Sequence, residues 1–244
     1  MTKLYISSAM LSEAGAVNAV SLRVANKPEY FSMKRGGTHE NARAENRREF
    51  FRSLGVDEVS VARGEQVHGN NVKYVESLGS YPETDAVVTR NKNLTLAVSV
   101  ADCVPILIAD KKSRVIAALH AGWRGTVKRI AAKTIGFMCG ELSCEPENIF
   151  AFIGPSAGIC CYEVDGEVAK NFSSNEMQEG SKPGKFMVDL KAANLSQLIE
   201  NGVPKSNVEV SNHCTICDTN FHSFRRDGES SGRMLAAIAI RSEE

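Results

Sequence analysis

Three apolar runs, 94–100, 104–109 and 115–119, follow one another with only short polar breaks and no helix-length segment between them. Each is rich in Val, Ile or Leu without polar alternation, the pattern of strands buried on both faces. Consecutive buried strands rule out a simple doubly wound chain, in which every parallel strand is followed by a crossover helix. The shorter segments 58–62, 72–75, 86–89 and 149–153 also read as strands. Helices are expected at 42–54, with Phe50, Phe51 and Leu54 on one face and a stop at Gly55, and at 125–138, with Val127, Ile130, Ala131, Thr134 and Ile135 on one face. Segments 164–172, 190–201 and 232–240 look helical as well, the second capped by Asp189. Segment 26–41, with Pro28, Gly36 and Gly37, reads as a long loop. The expectation is one α+β domain over 1–244, built on a mixed sheet or two stacked sheets and covered by helices.

Charge then narrows the partners. The chain carries 29 basic and 29 acidic residues, so it lacks the basic excess of a nucleic-acid binder and the polybasic segment of a membrane anchor. Its apolar stretches are strand-sized, so no membrane span is expected, and the start lacks a charged segment followed by an unbroken apolar core. Seven cysteines without a disulfide-domain rhythm suit a reducing, cytoplasmic setting.

The five histidines bound the available chemistry. His68 lies in Gln66-Val67-His68-Gly69, Cys103 closes the run that ends at Asp102, and His120 closes the run from Val115. Two imidazoles and a thiolate form a borderline-soft set that suits zinc, and three protein ligands leave a tetrahedral position open. Spacing alone equally permits a Cys103–His120 hydrolase pair with Cys103 as nucleophile, or a buried thiol beside ordinary hydrogen-bonded imidazoles. A second pattern, Cys214-x₂-Cys217-x₄-His222, matches the first three ligands of a zinc knuckle, with Asp227 where the fourth would stand. Cys160 and Cys161 are adjacent in sequence and read as pocket wall or core.

Read together, Gln66-Val67-His68-Gly69, Thr84-Asp85-Ala86, Ala101-Asp102-Cys103-Val104-Pro105, His120-Ala121-Gly122-Trp123-Arg124-Gly125, Ile153-Gly154-Pro155, Cys161-Tyr162-Glu163-Val164 and Ser223-Phe224-Arg225-Arg226 … Gly232-Arg233 occur in one order. Over 57–240 this closely resembles the YfiH-like family, the laccase-domain or multicopper polyphenol oxidoreductase proteins. The resemblance implies a central β-sandwich with helices outside, related to the cytotoxic-necrotizing-factor-like cysteine hydrolases. It makes His68, Cys103 and His120 the zinc ligands. The activity it implies is phosphorolysis of adenosine, inosine, guanosine and methylthioadenosine, with adenosine deamination; some relatives are described as peptidoglycan-editing factors. Two segments depart from the family pattern. Around Arg23 the usual glycines are replaced by Ala25 and Asn26, and Ser156-Ala157-Gly158 stands for Cys-Ile-Gly. Asn46-Arg47 keeps the family's pair.

The family's names span two chemistries. A multicopper set needs many histidines, often as His-x-His, and this chain has five and no such pair. A single copper with an axial Met10, Met33 or Met187 is the remaining copper alternative. Zinc with an open position suits attack of activated water at C6 of adenosine and phosphate attack at C1′. Arg23, Arg124 and Arg225 are the candidate phosphate and substrate ligands, since a guanidinium binds phosphate bidentately. Asp102 is a candidate general base or orienter, or the cap of a tight turn. Trp123 is a candidate stacking surface for a purine, or packing. The expected partners are thus a purine nucleoside and phosphate, on a monomer or homodimer.

Overall fold

In the computed structural model, residues 2–241 are described, and the runs of Val, Ile and Leu become strands where the pattern sets them. One six-stranded sheet runs in the order Tyr5–Ile6, Ala16–Ser21, Met234–Ile240, Thr95–Val100, Val61–Gly64, Gly79–Tyr81. The other runs Val208–Val210, Ile149–Ile153, Val104–Asp110, Val115–Ala121, Ala86–Thr89, Val72–Tyr74. Both mix parallel and antiparallel pairs. A small third sheet joins Glu163–Asp165, Lys185–Val188 and Met177–Glu179.

Side-chain alternation along these strands builds three apolar layers. Leu96, Val98, Val100, Ala236 and Ile238 of the first sheet meet Leu107, Ala109, Ile116, Ala118 and Phe152 of the second, forming the core between the sheets. The outer face of the second sheet, with Ile106, Ile108, Ala117 and Leu119, packs under helices Ile130–Leu142 and Leu190–Glu200. Outside the first sheet, Ala19, Ala97, Leu235 and Ala237 lie against Phe50 and Phe51 of helix Glu40–Ser53. The result is the expected α+β architecture, with mixed sheets at the centre and helices outside. No helix among the described residues is long and apolar enough to cross a membrane.

Several elements differ from the sequence pattern. Segment 232–240 is not a helix: Met234–Ile240 is a strand in the middle of the first sheet, paired with Ala16–Ser21 and Thr95–Val100. Every residue of it is buried, so no polar alternation marks its period, and tertiary burial overrides the helix preference of its alanines and Met. The helix expected over 125–138 starts at Trp123 and breaks after Val127, because Arg129 turns left-handed (φ 59°) before Ile130 restarts it. Segment 164–172 divides into strand Glu163–Asp165 and a short helix Gly166–Ala169. The strand expected from residue 58 begins at Val61, since Asp57 caps a 3₁₀ turn by accepting from the Val59 N–H at 3.0 Å. Within 26–41, a 3₁₀ turn at Pro28–Phe31 and buried Phe31 and Met33 tie the chain to the outer core.

Register places the functional residues. Val104 pairs with Ala121 and Pro105 with His120, so Cys103 and His120 meet at one end of the second sheet. Ala86 pairs with Leu119, which brings Asp85 to the same end, where its carbonyl accepts the His120 N–H at 2.8 Å. Cys103 lies on the short crossover that carries the chain from Val100 in the first sheet to Val104 in the second.

Candidate metal centre

One donor atom from each of His68, Cys103 and His120 lies within 4.8 Å of the others, which brings all three expected ligands together. The two imidazoles stand edge to face, with ring centroids 4.8 Å apart. Gly122 makes the space for them. A Cβ at that position would sit 3.1 Å from both Cys103 Sγ and the His68 ring, tighter than side chains normally tolerate.

Asp85 holds the arrangement, and the sequence assigned it no role. Its Oδ1 lies 2.8 Å from His120 Nδ1 and accepts the His68 N–H at 3.0 Å, while Oδ2 accepts from Gly69 N–H at 2.8 Å and Val67 N–H at 3.3 Å. One buried carboxylate therefore folds the 67–69 turn and fixes the ring opposite it. That turn includes His68 in the left-handed region (φ 58°), an uncommon conformation for a residue with a Cβ. Gln66 anchors the same loop to the first sheet: its amide donates to Ser99 O and accepts from Ser99 N, both at 2.8 Å. The only sequence signal for Asp85 was its place in Thr84-Asp85-Ala86; its partners are 16 to 35 residues away along the chain.

The charges follow from these contacts. Burial alone would raise the Cys103 pKa, but the positive charge of His120 and hydrogen bonds from both imidazoles pull it down to about 6. Burial opposes charge on His120 in turn, yet the Cys103 thiolate and Asp85 hold its pKa up to about 9. Asp85 stays below the usual carboxylate range: burial pushes it up, and the His120 and backbone hydrogen bonds outweigh that push. Without a metal the site is a carboxylate–imidazolium–thiolate line. A soft thiolate and two imidazoles are also the donor set that a borderline metal takes. The residues present therefore fit zinc.

Asp102 is next to Cys103 but turned to a different task. Its Oδ1 accepts from the Thr215 hydroxyl at 2.7 Å and its Oδ2 from the Arg225 N–H at 2.6 Å. Both oxygens thus pin the 211–227 segment to the strand end. Arg225 lies over the Tyr162 ring and donates to Glu163 O at 2.8 Å. Tyr162 is buried and in electrostatic reach of Cys103, Arg225, Asp102 and Arg124. Burial raises its phenol pKa to about 12, so it remains a neutral donor. Arg233, part of the quoted Gly232-Arg233 motif but given no role from sequence, is in electrostatic contact with Cys103 and Asp102. It faces the Phe224 ring at 5.6 Å, and Phe224 is 44% exposed.

Arg23 meets other partners, Tyr30, Thr219, His222 and Asp227. Trp123 is partly buried on the outer core with Arg124 stacked over its ring at 4.2 Å. His222 does not join Cys214 and Cys217 in a knuckle. It is buried against Gly232, while the two thiols meet Cys160 and Cys161. Met33 packs among Phe31, Phe50 and Phe51, Met10 lies on helix Ala9–Glu13 and Met187 on strand Lys185–Val188. His39 and His213 pair with Glu29 and Asp218.

Known proteins resemble this chain over most of its length. The family model described as "Multi-copper polyphenol oxidoreductase laccase" matches residues 23–241. A purine nucleoside phosphorylase of Deinococcus radiodurans is 40% identical over 205 residues, covering 82% of this chain and 78% of that protein. The adenosine deaminase RL5 of an unknown prokaryotic organism is 36% identical, covering 76% and 77%. Among solved structures, YlmD of Geobacillus stearothermophilus superposes with a TM-score of 0.91 at 30% identity, covering 99% of this chain and 98% of that one.

Proposed function

The chain belongs to the multi-copper polyphenol oxidoreductase laccase family, also known as YfiH-like, and from that premise we propose that it is a zinc-dependent purine nucleoside phosphorylase that also deaminates adenosine. Relatives named for each of those two activities support the reading. The observation that carries it is the meeting of His68, Cys103 and His120 at a strand end, bordered by cationic and aromatic side chains.

His68, Cys103 and His120 would hold the zinc. Bound there, zinc would supply Lewis acidity to the reaction. Asp85 acts as the positioning residue, keeping the proton on His120 Nδ1 and leaving the other ring nitrogen available as a metal ligand. Arg124, Arg225 and Arg233 offer guanidinium forks to phosphate, and Phe224 offers an exposed ring face to a purine. In phosphorolysis, a phosphate oxygen bonds to C1′ as the C1′–N9 bond breaks. The electron pair leaves with the purine, which takes up a proton. The arginines hold the attacking anion against the positive charge that develops on the ribose. In deamination, the oxygen of water adds at C6 and ammonia leaves. Adenosine, inosine, guanosine and methylthioadenosine are the substrate class.

The Asp85–His120–Cys103 line favours a second reading, a cysteine hydrolase with Cys103 as nucleophile, His120 as base and Asp85 as orienter. Metal dependence separates the two. Chelated protein and Cys103→Ala are expected to lose both nucleoside activities, with restoration of the chelated wild type by zinc. Full activity of metal-free protein on a peptide or muropeptide substrate, with none on nucleosides, would establish the hydrolase instead. Restoration by copper alone would assign the site to copper.

A further inference from the structure

The metal centre leaves Cys160, Cys161, Cys214 and Cys217 unused, yet their four sulfurs lie within 4.8 Å of one another. They come from two segments held side by side. Strands Ile149–Ile153 and Val208–Val210 pair in parallel, and beyond them Ser156 bridges Cys214, with Ser156 O accepting the Thr215 N–H at 2.9 Å. Cys160 Sγ and Cys217 Sγ are already 4.0 Å apart. In a tetrahedral zinc tetrathiolate, bonds of about 2.3 Å put the sulfurs about 3.8 Å apart. The four thiols thus need to close by only about 1 Å to reach that geometry.

The surroundings favour thiolates there. Cys214 Sγ accepts backbone N–H groups from Gly158, at 3.2 Å, and from Ile216 and Cys217. Burial would raise the Cys214 pKa, and these amides bring it down to about 7. Burial and the neighbouring sulfurs hold Cys160 and Cys161 above the ordinary thiol range. Without a cation the cluster therefore accommodates little negative charge, and a divalent ion would relieve the repulsion among four thiolates. The buried Lys191 ammonium, donating to Ser211 O at 2.6 Å and His213 O at 3.1 Å, is in electrostatic reach of Cys214 and Cys160 and would offset the complex's residual charge. Gly158 leaves room: a Cβ there would lie 3.0 Å from Cys214 Cβ and 3.3 Å from Cys160 Sγ.

We propose that Cys160, Cys161, Cys214 and Cys217 form a second zinc site, closed by four protein ligands and therefore structural. It clamps the segment whose Thr215 and Arg225 grip Asp102 beside the first site. Zinc binding here forms four Zn–S bonds and releases the thiol protons to solvent, with no redox change.

Reduced wild type, Cys103→Ala and the double variant Cys160→Ser/Cys217→Ser are compared by zinc content after gel filtration. Cys103→Ala is expected to retain one zinc per chain, with four cysteines shielded from a thiol reagent until a chelator is added. The double variant should lose that ion. Cobalt substituted into Cys103→Ala should give the intense charge-transfer absorption of a tetrathiolate, a readout that stands even if the double variant fails to fold. Metal-free Cys103→Ala with the four thiols reactive, or with two of them joined as a disulfide, overturns the proposal. Failure of zinc at the first site would leave the Cys103→Ala result unchanged, so the two sites are tested separately.

Discussion

Two buried residues, Asp85 and His222, show how much a single side chain decides. Asp85 accepts four hydrogen bonds, and no other carboxylate can replace it without moving the 67–69 turn. Asp85→Asn keeps the shape but exchanges one acceptor oxygen for a donor. Metal affinity at His68, Cys103 and His120 is expected to fall 10–100-fold, read by chelator competition, while far-UV dichroism stays that of the parent. Unchanged affinity would show that the ligands need no orienting partner. His222 sits 2% exposed with an unpartnered Nε2, beside Arg23, Arg226 and Asp227 and bonded to the Tyr30 backbone. Burial, aided by Arg23, lowers its pKa from 6.5 to about 4. The unfolded chain therefore binds the proton first. Stability is full above pH 6.5, falls as the pH drops toward 4 and levels below that, an effect on the order of 3 kcal/mol. His222→Gln should flatten the thermal-stability profile between pH 6.5 and 4 relative to wild type. An unaltered slope would place the acid sensitivity elsewhere.

Among the elements, helix Ile130–Leu142 carries a correctable strain. Its C-cap, Ser143, is left-handed at φ 56°, and its N–H caps Met138 O. Glycine takes that conformation without the Cβ penalty, so Ser143→Gly should stabilise the protein by about 1 kcal/mol, raising Tm by roughly 2–4 °C at this chain length. A lower Tm would mean that the serine contributes more than its backbone. The elements also show what could be read in advance. The strands at Thr95–Val100, Val104–Asp110 and Val115–Ala121 were legible because β-branched runs of strand length have few other fates. Met234–Ile240 was not, because a strand covered on both faces loses its alternation and Ala, Leu and Met write a helical preference over it. Arg129 hid the helix break for a related reason. Its φ of 59° falls between helices Trp123–Val127 and Ile130–Leu142 and has no glycine to announce it.

At the scale of the whole molecule, the two sheets act as a frame that delivers side chains to one edge. Register alone brings Asp85, Cys103 and His120 together, and the Gln66–Ser99 amide pair ties the loop bearing His68 to the sheet beside them. The three ligands were visible as chemistry-bearing residues at strand ends. Spacing left their convergence open, since it fixes neither register nor the order of strands in a sheet, and only the family resemblance joined them as one ligand set. Arg233 and the Cys160–Cys217 group were missed on the same account. The first acts across to Cys103 from the far end of the chain, and the second joins loops more than fifty residues apart. The reaction proposed at this end of the frame transfers ribose from a purine to phosphate. The most direct test incubates zinc-loaded protein with inosine and inorganic phosphate and separates the products. Equimolar hypoxanthine and ribose-1-phosphate, absent without phosphate and absent for Cys103→Ala, is the result expected. Free ribose formed independently of phosphate, or intact inosine with zinc bound at His68, Cys103 and His120, would contradict it.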